Sequence, residues 1–204
     1  MSVSDHRIYI IDDDESVKSG LSLLLKSAGY PFEAFSSGTD FIENVNHTGT
    51  GCIILDVFLD DESGLELQDR IQQLFPGLPI IYISGQGDVP MSVRALKKGA
   101  VNFLQKPIDE EVLFQALDEA LSYSAIMVDD YREIARIRSL VKLLTTREKE
   151  IFLHITRGLL NKQIASELRI AEHTVKLHRG NITKKLGVKS VAELVRMAER
   201  IQDR

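Results

Sequence analysis

Four short apolar runs, each ending at a polar residue, constrain the fold of this chain more than any other feature. They are Ile8 to Ile11 before Asp12, Cys52 to Leu55 before Asp56, Ile80 to Ile83 before Ser84, and Val101 to Leu104 before Lys106. A nearly continuous apolar run of this length suits a strand whose two faces are both covered by helices, as in a parallel sheet. Amphipathic stretches lie between the runs. In the first, residues 16–28, Val17, Leu21, Leu24 and Leu25 recur at helical spacing, and residues 65–75, 89–98 and 110–121 read the same way. A further strand at 32–35 and a helix at 39–45 complete an alternating pattern. The expected fold is α/β, a doubly wound five-stranded parallel sheet. The carboxyl ends of its strands share one edge, so Asp12, Asp13, Asp56, Ser84 and Lys106 are expected to meet there.

Charge divides the chain. Residues 1–122 hold 8 Lys and Arg against 20 Asp and Glu, a net of −12, while residues 123–204 hold 17 against 10, a net of +7. An acidic bulk discourages nonspecific adhesion to nucleic acid and a basic module keeps the affinity, which fits a sensor tied to a DNA-binding effector. The expected division is 6–122 for the sheet domain, 123–141 for a helical linker and 142–204 for the basic domain. The single cysteine, Cys52, excludes an intramolecular disulfide and reads as a small core residue. The first six residues have no apolar signal-peptide core, and no run approaches the roughly 18 apolar residues of a membrane span. The expected location is the cytoplasm, with no membrane partner.

Phosphorylating a carboxylate requires a hard cation to offset repulsion between the incoming phosphate and the acids. Mg²⁺ suits the task because it binds one or two carboxylates, several waters and phosphate oxygens. Asp13 and Asp56 would be direct ligands and Asp12 a ligand through water. Lys106 would bring positive charge to the phosphoryl oxygens, and the Ser84 hydroxyl a hydrogen bond that exists only once phosphate is present. Taken singly, an Asp after a strand is often only a helix cap or a loop residue. Five such residues at the right strand ends outweigh that reading. A calcium loop at Asp12 to Glu15 is excluded because consecutive acids diverge and the alternating acids followed by Gly and Glu are missing.

The set Asp12-Asp13, Asp56 with Gly64 eight residues later, Ser84-Gly85, Gly99-Ala100 and Lys106-Pro107 resembles the receiver domain of two-component response regulators over residues 6–122. The resemblance implies a flavodoxin-like fold with Asp56 as phosphoacceptor and the backbone carbonyl of Phe58 as a further Mg²⁺ ligand. It makes Phe103 the aromatic switch that turns inward when Ser84 engages the phosphate. It also implies a cis Lys106-Pro107 bond, a geometry that proline tolerates cheaply, and a sensor histidine kinase as partner. One departure stands out: where the family commonly has Met-Pro, this chain has Leu59-Asp60, followed by Asp61 and Glu62. Losing the proline is expected to loosen the loop, and the added acids to steepen the dependence on Mg²⁺. Two rival readings are weaker. Asp12-x-Asp14-x-Ser16 loosely resembles the opening of haloacid-dehalogenase-type phosphatases, but that scheme leaves Asp56 without a task. A ligand-sensing front half would need a mostly apolar pocket. The chain is expected not to be an enzyme.

Beyond Asp109 apolar residues recur to Val141 without Pro or Gly, which predicts a helical connector, and its mixed-charge face could form half of a dimer seam. After residue 143 helix signals are dense. Thr145 with Glu148 forms a capping box, Gly158 and Gly187 end helices, Asn161 is expected to cap one, and Ser190 with Glu193 another. The result is an all-α four-helix domain in which residues 161–180 follow the helix-turn-helix plan. At about 100° per residue, Val175, Ile182 and Leu186 face inward while Lys176, Leu177, Gly180 and Lys184 face outward. Base contacts fall to Lys176, Leu177 and Lys184, with Gly180 admitting close backbone approach. Phosphate contacts fall to Asn161, Lys162, Thr174, Arg179 and Lys185. His178 is expected to be packed and hydrogen-bonded.

The runs Leu144-Thr145-x-Arg147-Glu148, Gly158-Leu159-x-Asn161-Lys162-x-Ile164-Ala165, Thr174-Val175-Lys176-x-His178 and Lys184-Lys185-Leu186-Gly187-Val188 resemble the LuxR-type DNA-binding domain. With Gly85-x-Gly87-Asp88-Val89-Pro90-Met91, the whole chain is similar to the FixJ-like response regulators. Ala171 stands where that family often has a capping Ser. The resemblance implies a phosphorylation-dependent homodimer, with Val93, Arg94 and Lys97 as candidate contacts. It further implies binding to double-stranded promoter DNA, contact with RNA polymerase and activation of transcription.

Overall fold

A computed structural model describes residues 6–60, 62–85 and 89–202. Asp61 and the Gly87-Asp88 pair lie outside them. The order of elements is β1 His6–Ile11, α1 Glu15–Ser27, β2 Phe32–Phe35, α2 Gly38–Asn44, β3 Thr50–Asp56, α3 Gly64–Leu74, β4 Ile80–Ser84, α4 Val89–Lys97 and β5 Asn102–Gln105. Then follow α5 Glu110–Lys142, α6 Thr146–Thr156, α7 Asn161–Glu167, α8 Glu172–Leu186 and α9 Val191–Gln202. The strands form one parallel sheet in the order β2-β1-β3-β4-β5.

Side chains alternate along each strand, so each apolar run serves two cores at once. Tyr9, Ile11, Ile53, Leu55, Ile80 and Tyr82 pack on one face with Phe41 of α2, Leu67 and Ile71 of α3 and Ala95 of α4. Ile8, Ile10, Cys52, Ile54, Ile81 and Ile83 pack on the other with Leu21 and Leu25 of α1 and Leu113, Leu117 and Leu121 of α5. Burying each of these Leu or Ile side chains stabilises the fold by roughly 1.5–3 kcal/mol, which is why the runs are nearly continuous. Strand order reverses at β1. The chain leaves β1 for α1 on one face and β3 for α3 on the other, and the crevice between the two departing loops is where an open α/β sheet binds its ligands.

The connector predicted between the two domains is helical throughout, as a continuation of α5. It stays with the sheet beyond residue 122, since the buried Ser124 accepts from the Gly51 N–H at 3.1 Å and donates to the Gly77 carbonyl at 2.8 Å. The chain divides into two compact units between Asp129 and Asp130. In the second unit α6 to α9 close over Ile151, Phe152, Ile155, Ile164, Val175, Ile182, Leu186 and Leu194, with Ile137 of α5 in the same core.

The capping box of α6 is present, with the Glu148 N–H donating to Thr145 Oγ1 and the Thr145 N–H to the Glu148 carboxylate. Gly187 follows α8 at φ 68°, a left-handed conformation that glycine adopts without strain. Ser190 accepts from the Glu193 N–H at 3.2 Å. Asn161 does not cap α7. It is the first helical residue, and its Oδ1 is taken by Arg179, while the Leu160 N–H donates to Gln163 Oε1.

Candidate functional site

Asp12 and Asp13 follow the last residue of β1, and Asp56 ends β3, its neighbour in the sheet. The three offer carboxylate oxygens that all lie within 4.8 Å of one another. Lys106, just beyond β5, reaches across with Nζ 2.7 Å from Asp12 Oδ2 and 2.7 Å from Asp56 Oδ2. Three of the remaining oxygens accept from backbone N–H groups. Asp12 Oδ1 accepts from the Asp14 N–H at 2.9 Å, Asp56 Oδ1 from the Phe58 N–H at 3.2 Å, and Asp13 Oδ2 from the Asp60 N–H at 2.8 Å. Gly64 is required by the geometry of this loop, because a Cβ there would stand 2.2 Å from the Asp56 carbonyl oxygen. That contact is the physical content of the eight-residue spacing between Asp56 and Gly64.

Burial holds the Asp12 carboxyl above the ordinary carboxylate range, even against the hydrogen bond from Lys106. Burial also pulls Lys106 down, but its bonds to Asp12 and Asp56 outweigh this and leave the ammonium raised. Three acids around one lysine in a half-desolvated crevice leave negative charge uncompensated, and a hard divalent cation with oxygen ligands fits that deficit.

Ser84 ends β4 and is buried, and its carbonyl accepts from the Lys106 N–H at 2.8 Å. Phe103 lies half-buried on β5, on the same face, with its ring 6.4 Å from that of Tyr82. Phe58 is exposed, and its residue pairs with Ser63 in an isolated bridge. The Lys106–Pro107 bond is cis.

Two features of the loop differ from expectation. Glu62 adds no free charge, because both its oxygens accept from Arg70 of α3 at 2.9 and 3.1 Å. Asp60 does not simply loosen the loop, since its N–H ties it to Asp13, a bond that a proline at this position has no hydrogen to make. Sequence reasoning also missed Tyr82. Its signal was a tyrosine inside an otherwise aliphatic buried strand, whose hydroxyl must find partners.

In the second unit the turn between α7 and α8 passes through Arg169 at φ 52°. Val175, Ile182 and Leu186 are buried, whereas Lys176, Leu177, Gly180 and Lys184 are exposed, Leu177 at 63%. Lys162 is exposed and Thr174 half-buried. Arg179 and Lys185 are engaged within the bundle. Arg179 donates to Asn161 Oδ1 at 2.9 Å, and Lys185 Nζ lies 2.6 Å from the buried carboxylate of Glu148. Ala171 provides no side-chain cap to α8. His178 is packed as expected, but its Nδ1 finds no hydrogen-bond partner among the described residues.

A doubly wound sheet with acids and a lysine at its carboxyl edge, continued into a helix-turn-helix bundle, defines the class of response regulators. Residues 8–118 match the response regulator receiver domain, and residues 142–198 match the luxR family of bacterial regulatory proteins. The chain is 42% identical over 203 residues to the response regulator protein TmoT of Ectopseudomonas mendocina, covering 100% of this chain and 92% of that one. It is 34% identical to the transcriptional regulatory protein FixJ of Rhizobium meliloti, covering 96% of each. Among solved structures it is similar to the response regulator StyR, with a TM-score of 0.78 at 41% identity over 96% of this chain and 99% of that one. The chain belongs to the FixJ-like response regulators, which join a receiver domain to a LuxR-type DNA-binding domain and regulate transcription. No helix among the described residues is long and apolar enough to cross a membrane.

Proposed function

We propose that Asp56 is the phosphoacceptor, that a sensor histidine kinase supplies the phosphoryl group, and that Asp12, Asp13, Asp56 and the Phe58 carbonyl hold Mg²⁺. The observation that carries this reading is Lys106, whose ammonium bridges Asp12 and Asp56 at the edge where Asp13 adds a third carboxylate. Bound there, Mg²⁺ supplies positive charge to phosphoryl oxygens and to the acids. Asp56 gains a P–O bond as the donor histidine loses its P–N bond. Lys106 then pairs with a phosphoryl oxygen, Ser84 donates its hydroxyl hydrogen to another, and Phe103 turns inward. Asp12 fits a metal-holding role better than that of a phosphatase nucleophile, since it is fully buried with both oxygens engaged. The chain is thus a switch without substrate turnover, acting in the cytoplasm.

Phosphorylation favours a homodimer through Val93, Arg94 and Lys97, and two recognition helices α8 then read promoter half-sites about one helical turn apart. Lys176, Leu177 and Lys184 face base edges, with Gly180 giving close approach. Lys162, Thr174 and Asn161 meet phosphates. Arg179 and Lys185 contribute chiefly by holding α8 against α7 and α6. Dimers on DNA recruit RNA polymerase and activate transcription. Asp56→Asn should abolish Mg²⁺-dependent labelling from radiolabelled acetyl phosphate, and unchanged incorporation would falsify the assignment.

A further inference from the structure

Tyr82 stands in the middle of β4, opposite Leu55 of β3 and Phe103 of β5, and is wholly buried. Its hydroxyl has one hydrogen and two acceptors, the Gly64 carbonyl at 2.9 Å and Gln68 Oε1 at 3.1 Å. Each acceptor leads to a different part of the receiver. Gly64 packs on the Asp56 carbonyl and donates its N–H to the Val57 carbonyl, so it is tied to the acceptor loop. Gln68 points the other way, donating Nε2 to the Lys98 carbonyl at 2.9 Å. Lys98 follows α4 directly, and its chain passes through Gly99 at φ 95° into β5 and Phe103. The seam is doubled, because Gln72 also donates to the Lys98 carbonyl and Lys98 Nζ donates to Leu65 and Asp69 of α3.

We propose that Tyr82 is a positioning residue that couples the Asp56 loop to the turn between α4 and β5, its one hydroxyl hydrogen shared between Gly64 and Gln68. The inference rests on Asp56 being the phosphoacceptor. When the loop closes on a phosphoryl group the Gly64 carbonyl shifts, and the hydroxyl bond redistributes toward Gln68. Gln68 is thereby reoriented against the Lys98 carbonyl, at the root of the strand that carries Phe103. A hydroxyl with a single hydrogen cannot satisfy both acceptors fully, which makes the pair a two-position element rather than a static brace. Burial pushes the phenol pKa up, so the hydrogen is retained throughout the working pH range.

Amide hydrogen exchange of the full chain, with and without Mg²⁺ and beryllofluoride as the phosphoryl mimic, tests this. In the wild type, exchange should change at residues 56–64 and, by about 10-fold, at residues 98–102. Tyr82→Phe removes only the hydroxyl. It should keep the change at 56–64 and lose that at 98–102, and Gln68→Met should do the same from the other side, with no further loss in the double variant. A purely structural role would raise exchange equally with and without beryllofluoride. Either variant retaining the response at 98–102, or losses that add in the double variant, overturns the relay while the phosphoacceptor reading stands. Absence of any beryllofluoride response at 56–64 in the wild type overturns both.

Discussion

Asp12 shows what the acidic cluster costs at the scale of single residues. Its carboxyl stays above the ordinary range with Lys106 only 2.7 Å away, because burial, and after it the Asp56 charge, opposes its ionisation. Asp13 brings a third carboxylate within 4.8 Å of these two, so removing its charge should relieve repulsion in the metal-free protein. Asp13→Asn keeps an oxygen for the Asp60 N–H and should raise metal-free stability by about 1 kcal/mol, or ~4 °C in thermal midpoint. The same variant should lose most of the upward shift that millimolar Mg²⁺ gives the wild type. Thermal unfolding followed by circular dichroism, at several Mg²⁺ concentrations, reads both effects, and a metal-free midpoint at or below wild type would contradict them. Asp12, Asp56 and Ser84 were legible because each ends an apolar run, and Asp13 and Lys106 because each stands one residue beyond such an end. Asp60 and Gly64 were not legible in the same way, since what they contribute is a backbone N–H and a missing Cβ. Tyr82 read as one more apolar strand residue because nothing in the local sequence tells where a buried hydroxyl will aim.

Helix ends carry the corresponding lesson for elements. Thr145 with Glu148 predicts the start of α6 correctly because both partners lie within one turn, whereas Asn161 misled because its amide is claimed by Arg179, 18 residues away. Lys185 belongs to the same group of long-range partners. From the sequence it reads as a phosphate contact, and in the structure it fastens α8 to the cap of α6 by reaching buried Glu148. The bond from Lys185, then that from the Thr145 N–H, holds the Glu148 carboxyl below its ordinary value of 4.5. A carboxyl depressed in the folded state contributes stability that is fully present above its unfolded pKa and is lost as pH falls through the folded one. The α6–α8 pair should therefore weaken as pH drops below about 4.5. Glu148→Gln should cost about 1 kcal/mol at neutral pH and flatten this acid limb. Amide exchange of α6 and α8 between about pH 3 and about pH 7, corrected for intrinsic rates, measures it; equal acid sensitivity in both proteins would sink the account.

Across the whole molecule, the opposed charges of residues 1–122 at −12 and 123–204 at +7 set how the chain meets DNA. The acidic receiver repels the phosphate backbone at long range, so affinity must come from a few cations on one face of the bundle, and salt will reveal how many. Each phosphate neutralised contributes a slope of about −0.9 in the logarithm of affinity against the logarithm of salt concentration. Lys162 and Leu177 are both exposed, yet they should respond differently. Lys162→Ala should weaken binding to every sequence alike and reduce the slope by about 1 per protomer. Leu177→Ala should leave the slope unchanged and erase discrimination worth about 1 kcal/mol at a thymine whose methyl the leucine covers. Fluorescence anisotropy of the beryllofluoride-treated protein, titrated against a selected operator and its single-base variants at several salt concentrations, separates the two. If Leu177→Ala changed the slope while Lys162→Ala changed base preference, α8 would lie on DNA in a different orientation from the one its buried Val175, Ile182 and Leu186 stripe requires.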